Sequence, residues 1–169
     1  MRIFQRELER QCKFALMSIQ DLKNALQNGD MDRIWYSIQA FLIAVGNISK
    51  IIWPANPTLP GRRDDIRESL SVNDDSPLQP RKFRNHFEHF DERLERWATS
   101  SIHKGFVDSN VGPTGSIVGI DPNDYLRNFD TSDYAVTFRG DLYILPPIVE
   151  AIHGLWQKAV IEAAKPHWE

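Results

Sequence analysis

Cysteine is almost absent from this chain: Cys12 stands alone among 169 residues. One thiol cannot close an internal disulfide, which excludes a disulfide scaffold and suits a reducing compartment. Uninterrupted apolar runs of about 18 residues are lacking too, so no membrane span is expected. A surplus of positive charge is missing: 20 Lys and Arg face 23 Asp and Glu, for a net charge of -3. That is not the balance of a dedicated nucleic-acid binder, so any nucleic-acid contact must rest on where the charges are placed. The opening MRIFQRELERQ carries charges where a signal peptide has its apolar stretch, which points to a cytoplasmic location. Gly112-Pro-Thr-Gly115-Ser lacks the Lys-Ser/Thr ending of a phosphate loop. His103, His153 and His167 are scattered without ligand spacing, so neither a metal nor another cofactor is expected. Repeats and low-complexity tracts are also missing.

What is present is a globular composition, 41% hydrophobic and 25% charged, at the length of one domain spanning 1–169. Apolar residues recur at three- and four-residue steps at Phe4, Leu8, Cys12, Ala15, Ile19, Leu22 and Leu26, predicting a helix over Ile3–Gln27 that Asn28-Gly29 ends. Asp30 or Asp32 caps a second helix, Met31–Trp53, which is apolar around most of its circumference and so belongs at the centre of a bundle. A short helix is expected over Arg62–Val72 and a long one over about Leu78–Ser101, whose stripe is Phe83, Phe87, Phe90, Leu94 and Trp97. Glycines then make the chain irregular, with a short strand at Ser116–Ile120. Tyr134–Phe138 and Leu142–Leu145 read as a β-hairpin around Arg139-Gly140-Asp141. Pro146-Pro147 opens the last helix. The expected fold is all-α: an up-and-down helical bundle with a small β-hairpin-containing insertion, at about 103–145, before the last helix.

The chemistry is concentrated in the third major helix, at Arg81-Lys-Phe-Arg84-Asn85-His86-Phe-Glu88-His89. At ~100° per residue, with Phe83 at zero, Arg84 falls near ~100° and His89 near ~240°. Arg81, Asn85 and Glu88 lie between them, on the side opposite the apolar stripe, while His86 falls at the margin of the stripe. Arg84 and His89 flank this polar side about 140° apart, too far for one helix to close both on a small ligand. Two copies across a twofold axis bring them into one cleft.

Arg84-Asn85-His-Phe-Glu-His89 resembles the arginine, polar residue, spacer, histidine motif of the HEPN superfamily, and His89-Phe-Asp-Glu-Arg93 is similar to its prokaryotic abortive-infection and toxin branches. The resemblance implies a helical-bundle homodimer paired through the motif helix and acting as a metal-independent endoribonuclease. Arg84 and His89 would be catalytic and Asn85 orienting, with Arg81, His86 and Glu88 as further substrate-binding residues. RNA is the implied substrate, and an antitoxin or other protein the implied partner. The chemistry is consistent: histidine titrates near neutrality and moves protons, and a guanidinium fork suits the oxygens of a phosphorane. The alternative reading is a module of the same fold that binds RNA, a nucleotide or a protein without turnover. A third places an enzyme site under the 103–145 insertion.

Overall fold

Gly29 turns the chain back after its first helix, α1 (Arg2–Asn28), by adopting the left-handed conformation at φ 66°. The next two amides donate backward: Gly29 to the Leu26 carbonyl at 3.3 Å and Asp30 to that of Ala25 at 3.0 Å. Asp30 then caps α2 (Met31–Ile52), accepting the Arg33 amide at 2.9 Å on its carboxylate. A two-residue turn between long helices makes them antiparallel neighbours. Leu8, Cys12, Ala15 and Leu22 of α1 are buried, as are Ile34, Ile38, Phe41, Val45 and Ile48 of α2. Both stripes fall where the helical spacing predicts them.

This computed structural model describes residues 1–58, 60–113 and 115–166, and the backbone alone at Pro60, Arg62 and Phe83. His167 therefore lies outside the described residues. The chain divides into two compact units, Met1–Arg81 with Pro147–Glu169, and Lys82–Pro146.

The first unit is helical. Besides α1 and α2 it holds α3 (Pro60–Ser69) and most of α6 (Leu145–Ala164). α3 is polar, and arginines anchor it: Arg63 and Arg67 donate to the Ile51 and Ile52 carbonyls at 2.9 and 3.2 Å, satisfying acceptors left open at the end of α2. The Arg63 guanidinium also lies 4.1 Å over the Phe4 ring. By length and composition α2 is apolar enough to cross a membrane, and 61% of that stretch is buried inside the protein. Burial pushes the Cys12 thiol up to about 12, which keeps it protonated and unreactive.

The second unit corrects the all-α expectation. Among the described residues it carries a four-stranded mixed sheet in the order β1 (Asn110–Val111), β2 (Arg127–Asp130), β3 (Ala135–Phe138) and β4 (Asp141–Ile144). β1 runs parallel to β2, and the other neighbours pair antiparallel. The hairpin was legible; β1 and β2 were not. Asn128 in β2 is wholly buried because Asn110 and the Gly112 carbonyl satisfy its amide, and hydropathy alternation cannot show such a position. Ser116–Ile120 forms no strand and is bend and turn instead.

The expected long helix over Leu78–Ser101 is also corrected, to two short ones, α4 (Lys82–Glu88) and α5 (Phe90–Ser100). Pro80 keeps Gln79 out of helical geometry and sets the later start. The break falls at His89, with φ -111° and ψ 42°. The stripe meant to face a core is only half-buried at Phe87, Phe90 and Trp97, Leu94 is 36% exposed, and no residue of α5 is buried.

Phe41 is fully buried in α2, so Phe41→Ala is expected to cost about 3–5 kcal/mol in urea denaturation through the cavity it leaves. Asp30→Ala should cost about 1 kcal/mol through the lost cap. Met17→Ala, on the exposed side of α1, should stay within about 0.5 kcal/mol.

Candidate functional site

The β3–β4 connection is the tightest that a hairpin allows. Phe138 pairs with Asp141, and the two residues between them, Arg139 and Gly140, both have positive φ, 48° and 84°. That is a type I′ turn, whose twist matches that of the strands it joins. A non-glycine residue held at φ 48° is costly unless its surroundings fix it. Arg139 is fixed by its amide, which donates to the Tyr125 and Leu126 carbonyls at 2.9 and 3.2 Å.

Phe138 is fully buried, and its ring is the platform on which the second unit's helices gather. His86 stacks on it at 4.8 Å with an interplanar angle of 8°, while Phe87 and Phe90 approach from the side at 6.1 and 6.0 Å. Since Asp141 stands opposite Phe138 in the ladder, the stacked imidazole meets its carboxylate: His86 Nε2 lies 2.8 Å from Asp141 Oδ2. Arg93 Nε donates to His86 Nδ1 at 3.3 Å, so the ring's proton sits on Nε2 and is given to Asp141. Lys82 Nζ donates to the other Asp141 oxygen at 2.6 Å.

These groups border a cleft of about 400 Å³, with Arg96, Arg139, Asn85 and Asn123 completing its polar lining. Four cationic side chains and one carboxylate face it. Burial holds the His86 pKa below the ordinary imidazole value, outweighing the upward pull of Asp141. The Lys82 hydrogen bond holds Asp141 below the usual carboxylate range. The resting cleft therefore has a neutral imidazole, an ionised carboxylate and a surplus of positive charge. A larger groove of about 600 Å³ between α1 and α2 is lined mainly by apolar side chains, with Asp21 its one charged residue, and brings together no comparable chemistry.

The residues expected from the sequence are dispersed. Arg84 is buried: its Nη2 donates to Asn85 Oδ1 at 2.9 Å and pairs with Glu88 at 2.9 Å, while Nε and Nη1 have no hydrogen-bond partner among the described residues. His89 is half-exposed, its Nδ1 lying 3.2 Å from Glu92. Neither lines the cleft, and no hydrogen bond joins the two among the described residues. Asn85 and His86 do line the cleft, Glu88 is spent on Arg84, and Arg81 belongs to the first unit. Sequence reasoning missed Lys82, Arg93, Arg96, Arg139 and Asp141. Arg93 and Arg96, three residues apart on one helix, were a faint signal; Arg139 and Asp141 were legible only as turn residues. No family model, curated protein or solved structure matches this chain.

A neutral buried imidazole makes stability depend on pH with a definite sign. The unfolded chain takes up a proton at His86 near pH 6.5 and the folded unit does so only at lower pH, so this contribution is complete above about 6.5 and declines as pH falls below it. Asp141, lowered when folded, loses its contribution in the same direction at still lower pH. Urea denaturation at pH 7.5, 6.5 and 5.5 should show falling stability, and His86→Asn should flatten the slope near 6.5. A flat wild-type profile over this range contradicts a neutral folded His86.

Proposed function

We propose that this chain is a HEPN-like binding module that takes the phosphate of a nucleotide or RNA without turnover. One observation carries the reading: in the cleft where cationic side chains converge, the imidazole has both nitrogens engaged, one by Arg93 and one by Asp141. Guanidinium and ammonium groups converging on a concavity are the chemistry of phosphate recognition. An imidazole with no free nitrogen contributes shape and a fixed dipole to that recognition, and moves no proton.

The metal-independent ribonuclease reading keeps one observation in its favour. The buried Nε and Nη1 of Arg84, without a hydrogen-bond partner among the described residues, are donors that an oxyanion best satisfies. That mechanism needs a second copy of the chain to meet the first through α4 and α5, and Arg84 to leave Glu88.

The two readings separate in one set of assays. Labelled RNA should bind with an affinity that falls as salt rises, and Lys82→Ala with Arg96→Ala should weaken it by about 1–3 kcal/mol together. Incubation with single-stranded RNA and chelator should leave the RNA intact, and His89→Ala should bind as the parent does. Cleavage in chelator that disappears in His89→Ala establishes the ribonuclease reading instead.

A further inference from the structure

The charge of the second unit is unevenly distributed. Between Lys82 and Pro146 the chain has seven Lys and Arg and ten Asp and Glu, an acidic unit as a whole. Four of those cations, Lys82, Arg93, Arg96 and Arg139, line the cleft, and only one of the acids does. The acids elsewhere include Asp91, Glu92 and Glu95, on the same helix as Arg93 and Arg96. The cations themselves come from three elements: the start of α4, two positions three residues apart on α5 and the tip of the β3–β4 turn. They ring a pit and do not form a row. Outside the pit, Arg127 is committed to Asp108 and lies over Phe90, and Lys104 donates to the Ala98 carbonyl. Outside the cleft the unit carries three cations and nine acids, so a polyanion finds its attraction concentrated at this one spot.

From this arrangement we infer that the cleft selects a terminal phosphate, the phosphomonoester of a mononucleotide or of an RNA end, over an internal phosphodiester. The inference rests on the binding-module reading and narrows its ligand. A monoester carries close to two negative charges at neutral pH and three terminal oxygens, where a diester offers one charge and two. With Asp141 already neutralised by Lys82 and the His86 N–H, the guanidiniums of Arg93, Arg96 and Arg139 face those three oxygens, Arg93 also donating to His86 and lying 3.7 Å from Glu92, and Arg139 also donating to Ser100 at 3.0 Å. Phe138, capped by the His86 ring and fully buried, offers no free face for a base to stack on. The phosphate is therefore recognised and the base is not.

The test uses the full chain and five probes: inorganic phosphate, AMP, adenosine, and one RNA oligonucleotide with either a 5′-phosphate or a 5′-hydroxyl. Binding is followed by calorimetry and by fluorescence anisotropy. AMP should bind and adenosine should not, and the 5′-phosphorylated oligonucleotide should bind at least tenfold tighter than its hydroxyl twin. Arg96→Ala and Arg139→Asn should each erase most of that tenfold preference; asparagine tolerates the positive φ at 139, so the turn persists. Arg10→Ala, on the exposed surface of α1, should leave it unchanged. Equal affinity for the two oligonucleotides overturns the terminal-phosphate inference and leaves the binding module standing. Binding of phosphate and AMP without either oligonucleotide upholds the inference and restricts the module to small ligands. Failure of all five probes overturns both.

Discussion

The second unit depends on one buried ring. Phe138 sits at the end of β3 with no solvent exposure, and three side chains from the α4–α5 segment gather on it: His86 face to face, Phe87 and Phe90 from the side. An aromatic ring buries a large apolar area and holds its neighbours to narrow geometries. Because the type I′ turn puts Asp141 directly opposite Phe138, the stacked imidazole arrives beside a carboxylate. The chain of contacts from Lys82 through Asp141 and His86 to Arg93 follows from that placement. Asp141 draws in Lys82, His86 accepts from Arg93, and the turn that positions Asp141 carries Arg139 at its tip.

The same ring explains why the helix faces other than expected. A wheel built on Phe83, Phe87, Phe90, Leu94 and Trp97 treats the segment as one straight rod with its apolar stripe inward. The break at His89 ends the rod, and packing on Phe138 centres the inward face between His86 and Phe90. Arg84 is consequently buried, held by Asn85 and Glu88, while His89 stands at the break beside Glu92. The pair chosen for its placement on one polar face is divided between interior and surface. His86, assigned to the margin of the stripe, becomes the centre of the site. Trp97, chosen as a core residue, is half-buried, with its ring 5.0 Å from Phe106 and its indole N–H donated to the buried Asp124 at 2.9 Å.

Legibility differed between the two units for a physical reason. In the first, α1 and α2 are long, their buried residues are apolar, and their ends are marked by Gly29 and Asp30. Periodicity and capping are local signals, and both are written in consecutive residues. In the second, buried positions include Arg84, His86, Asn128 and Asp124, polar groups that the interior accepts because partners engage them. Asn128 finds Asn110 and Gly112 at 18 and 16 residues' distance, Asp124 finds Trp97 at 27 and His86 finds Asp141 at 55, and no short window of sequence displays these pairings. The hairpin was the exception, since a two-residue turn between β-rich arms is itself local.

By itself, then, the sequence determined the helical hairpin of α1 and α2, the buried and unreactive Cys12, the β3–β4 turn and the concentration of ionisable groups between Arg81 and Arg96. Each of these is set by residues within a few positions of one another. Tertiary structure decided which of those groups share a site. The cleft is assembled from α4, α5 and a turn more than 40 residues further along the chain, and which side of a short amphipathic helix faces inward depended on a single aromatic ring in another element. Spacing along a helix ranks the candidate residues; only the partner that covers the helix selects among them.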